Sequence, residues 1–161
     1  DAEFTRRMAE ALAPYSPYFF EDVLTPEDLG PQAELRRDIK PVQLAGGEHE
    51  FTAYGFREVA AAGALDIWQP DIAWCGGMTA ALRIVALAGP AGARVVPHRG
   101  GEVWGLHLIV ASDCEKLAES NPGRRGHGQQ SAWVGEPEVV DGWVSPNGLP
   151  GFGLEPNTDL L

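Results

Sequence analysis

The feature that most constrains the fold is a repeat. Short apolar segments alternate with helix-like ones, and each apolar segment ends on a titratable residue: Glu21, Glu48, Asp71, His98 and Glu119, in that order. Each follows the last by a little more than twenty residues, the length of one strand, one helix and two turns. The strand-like segments are "PYFFED" (17–22), "PVQLAGG" (41–47), "LDIWQPD" (65–71), "ARVVPH" (93–98) and a weaker one at 115–119. Between them lie helix-like stretches at 31–39, 52–63, 78–89 and 103–111. Another opens the chain at 2–14, with Asp1 as its N-cap and Phe4, Met8, Ala11 and Leu12 on one face. Strands separated by helices pair in parallel, because a parallel pair needs a long crossover.

Two architectures fit this alternation, an open doubly wound sheet and a closed β/α barrel. In an open sheet, function gathers at a single switch-point crevice. Polar groups on five consecutive strand ends suit a barrel, where every C-terminal strand end reaches one mouth. No phosphate-binding G-x-G-x-x-G follows a strand. The expectation is therefore an α/β fold, part of a β/α barrel comprising about its last five strands. In "GGEHE" (46–50) the glycine pair lets the backbone turn sharply as the strand delivers Glu48.

Composition removes other classes. A net charge of −11 argues against a nucleic-acid or anionic-membrane surface. No apolar run approaches the ~20 residues of a membrane span. Cys75 and Cys114 lack zinc-ligand or C-x-x-C spacing, which fits reduced thiols in a cytoplasmic protein. The basic run "GRRGH" (123–127) reads as a solvated loop within the variable stretch "NPGRRGHGQQ".

The strand-end residues also suggest chemistry. Glu21 and Glu48, on neighbouring strands, could share Mg²⁺, which prefers carboxylate oxygens. Asp71 and His98, also on neighbours, could form a carboxylate–imidazole pair with the histidine as general base. Glu119 stands beyond His98, placed to hydrogen-bond a substrate oxygen. A metal with such a dyad suits removal of a proton α to a carboxylate.

The stretches "FFEDVLTPEDL", "GGEHEFTAYGF", "DIWQPDIAWCGGMT" and "VVPHRGGEVWGLH" together resemble the mandelate racemase-like branch of the enolase superfamily. Within that branch "GEHE", "QPDIAWCGG" and the tail "GEPEVVDGWVSP…PGFGLE" are most similar to acid-sugar dehydratases, those acting on L-rhamnonate among them. The resemblance implies a modified β/α barrel with a capping domain. Residues 1–130 would be the C-terminal part of the barrel, and 131–161 a segment returning to the cap. It implies Glu21 and Glu48 as two of three Mg²⁺ ligands, with the third upstream of Asp1. His98 would be the base at C2, activated by Asp71, and would also protonate the departing C3 hydroxyl. Glu119 would bind substrate and stabilise the enediolate, and His49 would face either the metal ligand or the substrate. The implied product is a 2-keto-3-deoxy sugar acid, and the implied assembly a homo-oligomer acting on a small-molecule sugar acid. A racemase, a dehydratase of another sugar acid and a non-catalytic fragment stay open as alternatives. Glu21-Asp22-Val23 departs from the family's usual Glu-Glu-Pro, and Arg99 and Glu102 occupy the loop after the base.

Overall fold

A computed structural model describes residues 1–120 and 131–160. The expected loop at 121–130 lies outside the described residues, as does Leu161. Four parallel strands form the main sheet: β1 (Phe19–Glu21), β2 (Gln43–Gly46), β3 (Ile67–Trp68) and β4 (Arg94–Val95). Their spatial order is their chain order, β1-β2-β3-β4. A doubly wound sheet would reverse direction at a switch point, whereas steady sequential addition is the winding of a barrel.

The helices are α1 (Ala2–Leu12), α2 (Leu29–Asp38), α3 (Thr52–Ala62), α4 (Met78–Ala88) and α5 (Val103–Ala111). Local chemistry sets their ends. The Asp1 side chain accepts the Phe4 N–H at 2.8 Å and starts α1. Pro14 follows directly in a short 3₁₀ turn, Ala13–Tyr15, because proline cannot supply the next helical N–H. Gly63, left-handed at φ 62°, closes α3 by donating its N–H to the carbonyls of Val59 and Ala60.

Side chains alternate between the two faces of the sheet. Phe20, Leu44, Trp68 and Val95 face the helices and join Leu35, Phe56, Ile84 and Leu108 in the larger core. Phe56 and Trp68 are both fully buried, with ring centroids 5.3 Å apart. Phe19, Ala45, Ile67 and Val96 form a smaller cluster on the other face, the one that a barrel interior fills in layers.

Asp66 pins the entrance to β3. Its carboxylate accepts from Arg36 Nε and Lys40 Nζ, each at 2.7 Å, and from the Leu44 N–H at 3.0 Å. Burial works against the charge, but the Lys40, Leu44 and Arg36 donors together hold the carboxyl below its ordinary value.

One expected strand does not form. Residues 115–119 run beside β4 only at their start, where the Glu115 N–H donates to the Val95 carbonyl at 2.9 Å. Lys116 is drawn instead to the Ile109 and Ser112 carbonyls at the end of α5, and Glu119 turns to the loop after β4. Leu117 is left exposed, so no alternating buried face holds the segment against the sheet.

The tail forms a two-stranded antiparallel pair, β5 (Trp133–Val134) with β6 (Glu155–Pro156). It docks on α5 through edge-to-face contacts of Trp104 with Trp133 and Phe152. No helix among the described residues is long and apolar enough to cross a membrane, and both cysteines are free and buried.

Candidate active site

The strand-end residues converge at the C-terminal edge of the sheet, and His98 lies at the centre of the contacts. Its Nδ1 is 2.9 Å from Asp71 Oδ2, and its Nε2 is 3.3 Å from Glu48 Oε2. Three consecutive strands thus contribute to one contact chain. Asp71 is 3% exposed, and its other oxygen accepts the backbone N–H groups of Ala73 (2.7 Å) and Trp74 (3.2 Å). Those bonds fix the carboxylate, and a carboxylate can only accept, so Nδ1 donates to Asp71, whereas Nε2 makes only the longer 3.3 Å contact with Glu48.

Glu21, at the end of β1, accepts a hydrogen bond from Gln69 Nε2 at 2.9 Å. Burial pushes its carboxyl upward, the Gln69 bond opposes that, and the charges of Asp22, Glu119 and Glu48 push it up again. Four acids therefore share one electrostatic neighbourhood, the situation a divalent cation relieves.

Asp22, Glu48 and His49 each offer a donor atom, all within 4.8 Å of one another. Glu21 is outside that tighter group. Asp22 joins it because its backbone is left-handed, φ 47°, which turns the residue after β1 towards β2. A Cβ at Gly46 would stand 3.0 Å from Asp22 Oδ1, so the first glycine of "GGEHE" leaves room for this acid. Burial raises the Asp22 carboxyl, opposed by His49 and His98. The donor set is rich in hard carboxylate oxygens, with one imidazole beside them, and it fits Mg²⁺.

His49 lies 3.3 Å from Glu48 Oε1 and stacks on Trp74, with centroids 5.5 Å apart. Trp74 also leans over His98 at 6.2 Å. It forms an aromatic wall between the two imidazoles and is itself partly exposed.

Glu119 Oε2 accepts the Arg99 N–H at 2.7 Å, and its own carbonyl accepts the Gly101 N–H, also at 2.7 Å. It therefore hangs from the loop that follows His98 although its own segment is no strand. A Cβ at Gly101 would come within 2.5 Å of that carbonyl, so glycine is required for the approach. Arg99, at φ 55°, pairs with Glu102 at 2.6 Å.

All six residues singled out from the sequence, Glu21, Glu48, His49, Asp71, His98 and Glu119, stand at this edge. Sequence reading gave no ligating role to Asp22 and did not single out Gln69 or Trp74. "FFED" and "QPDIAW" contain all three, and the signal available was their place at or just past a strand end.

The arrangement has counterparts in known proteins. The profile of the enolase C-terminal domain-like family matches residues 1–160. L-rhamnonate dehydratase of Saccharopolyspora erythraea is 37% identical over 169 aligned positions, covering 99% of this chain and 42% of that protein. Among solved structures, L-talarate dehydratase of Polaromonas sp. JS666, complexed with Mg and L-glucarate, superposes with a TM-score of 0.86 at 25% identity, over 99% of this chain and 43% of the other. The 3,6-anhydro-D-galactonate cycloisomerase of Zobellia galactanivorans gives 0.85 at 25% identity, over 99% and 46%. The chain thus spans less than half the length of these relatives, and its sheet corresponds to part of their barrel. By the family match, the retained sheet order and these relatives, the chain belongs to the enolase superfamily, as an enolase C-terminal domain-like protein.

Proposed function

We propose that these residues carry out Mg²⁺-dependent dehydration of a sugar acid of the L-rhamnonate kind, yielding a 2-keto-3-deoxy sugar acid. The observation that carries this reading is the contact chain Asp71–His98–Glu48, which brings a tautomer-fixed imidazole against a carboxylate suited to a metal. The 37% identity to an L-rhamnonate dehydratase supports the choice of substrate class.

In this reading Glu21 and Glu48 would hold Mg²⁺, with Asp22 and His49 clustered beside Glu48. When bound, the ion offsets the negative charge that builds on the acid's carboxylate end. His98 Nε2 takes the proton from C2, and the electron pair left behind moves into the carboxylate. That pair then returns to form the C2–C3 double bond as the C3 hydroxyl departs, taking its proton from His98 to leave as water. The resulting enol tautomerises to the 2-keto acid, so one water is lost and no redox change occurs. Asp71 keeps the Nδ1 proton in place through both transfers. Glu119 hydrogen-bonds the oxygen that gains charge, and Trp74 closes one side of the site.

The tail at 131–161 would pack against a capping domain. The free, buried cysteines suit a cytoplasmic protein. The test is turnover of L-rhamnonate and related sugar acids by the full chain with Mg²⁺, read as 2-keto-3-deoxy acid. Product from the parent and none above background from His98→Asn is expected. Equal turnover by both would refute the assignment of the base.

A further inference from the structure

Gln69 is 4% exposed, and its amide is only half used. Nε2 donates to Glu21 Oε1 at 2.9 Å, while Oε1, although buried, has no hydrogen-bond partner among the described residues. The amide cannot be turned the other way to cure this. Glu21 is a carboxylate, an acceptor, so the NH₂ must face it and the oxygen must face elsewhere. An unpartnered buried amide oxygen is costly, and native proteins seldom tolerate one without a reason.

The position explains what the oxygen could meet. Gln69 directly follows β3, and its backbone N–H donates to the Gly46 carbonyl at 2.8 Å, which locks the residue at the sheet's C-terminal edge. Its side chain crosses from β3 over β2 to an acid on β1. The crossing is open because Ala45 is the last β2 side chain before Glu48, with two glycines between. Gln69 thus spans the strands that carry Glu21, Glu48 and Asp71. Any O–H group brought into this site by its ligands would find an acceptor already in place.

Resting on the dehydratase reading above, we propose that Gln69 is a positioning residue. Its N–H holds Glu21 in ligating orientation, and its Oε1 accepts an O–H donor that enters with the cargo of the site. That donor is either a water carried by the metal or a hydroxyl of the sugar acid. The shared chemistry is a single O–H bond to a preset carbonyl oxygen, and it turns a buried polar defect into a selective contact.

The test uses the full chain carrying Gln69→Met, which conserves volume and removes both the bond to Glu21 and the free acceptor oxygen. Calorimetric titration with Mn²⁺ alone should show a dissociation constant raised about 10- to 100-fold. The melting temperature in chelator should stay close to the parent's, since the orphaned oxygen and the Glu21 hydrogen bond are lost together. At saturating Mg²⁺, an additional rise in KM for L-rhamnonate with kcat less affected assigns the donor to a substrate hydroxyl. An unchanged KM assigns it to water on the metal. Gln69→Glu is the second variant. It cannot donate to Glu21 and adds an acid, so it should melt lower than the parent in chelator and recover on adding metal. Parent-like Mn²⁺ affinity in Gln69→Met would overturn the proposal, as would a metal-free melting temperature that falls while the affinity stays the same. Glu48→Gln separates the two levels: if it too binds Mn²⁺ like the parent, the metal reading fails first and the role of Gln69 fails with it.

Discussion

His98 is reached from two sides, by Asp71 at Nδ1 and by Glu48 at Nε2, and the proposed mechanism gives the two carboxylates different tasks. Asp71 is buried and committed to two backbone N–H groups, so it can orient the ring but cannot move with the substrate. Glu48 is less enclosed and has His49 on its other oxygen, so it is free to serve a cation. Asp71→Asn is a sharp test because the side chain keeps its shape. The Asn oxygen would continue to accept from Ala73 and Trp74, and its NH₂ would then face Nδ1 and force the proton onto Nε2. We expect kcat to fall about 10²- to 10⁴-fold, with Mn²⁺ affinity within a few-fold of the parent's. A normal kcat would mean that the tautomer does not matter. At this scale the sequence was informative about types and silent about pairings. The spacing of Glu48, Asp71 and His98 marked three strand ends. Nothing in "DIWQPD" marks Gln69 as reaching across β2, because that contact joins residues 48 positions apart.

The elements show how glycine and acid placement support those side chains. Gly105 lies inside α5, where alanine would ordinarily gain about 1 kcal/mol. Here an added Cβ would come within 2.7 Å of Gly100 Cα and 3.0 Å of the Arg99 carbonyl, the loop that carries His98. Gly105→Ala should therefore lower both melting temperature and activity, against its helix propensity. Gly101→Ala should lower the melting temperature and raise KM, by displacing the Glu119 backbone; unchanged kinetics would show that Glu119 is not held by this contact. Asp66 gives the pH dependence. Its folded-state carboxyl lies below the ordinary 3.8, so its stabilisation is complete above that pH and is lost as pH falls through the lower folded value. Asp66→Asn should cost about 2 kcal/mol at neutral pH, the worth of its charge-assisted bonds. It should also flatten the acid limb of a stability–pH curve below 3.8. The helices and four strands were legible from apolar periodicity and caps such as Asp1 and Gly63. Residues 115–119 were not, because Lys116 and Glu119 find partners in α5 and the β4 loop, tertiary bonds that no local pattern encodes.

For the molecule as a whole, the acids that crowd one edge of the sheet oppose folding. The carboxyls of Glu21 and Asp22 are both raised. Their groups favour the folded state when protonated, and that contribution fades as pH rises through the raised values. Metal-free protein should therefore gain from these two groups on acidification towards 4.5, while metal-loaded protein should not. At neutral pH, Mg²⁺ at a hundredfold excess over its Kd should add about 2.7 kcal/mol to stability. The formal net charge is −11, but among the described residues this cluster is the one that should respond to micromolar or millimolar divalent ion rather than to ionic strength. The barrel winding was readable because strand-end acids recur around the chain, whereas the docking of the tail through Trp104 and Phe152 was not, since aromatic edge contacts leave no spacing in the sequence.

The most direct measurement is exchange of the C2 proton of L-rhamnonate in deuterated solvent by the full chain with Mg²⁺, followed by NMR alongside formation of the 2-keto-3-deoxy acid. The account predicts product formation, and any exchange at C2, in the parent and neither in His98→Asn. Product formation or C2 exchange that persists in His98→Asn would contradict it.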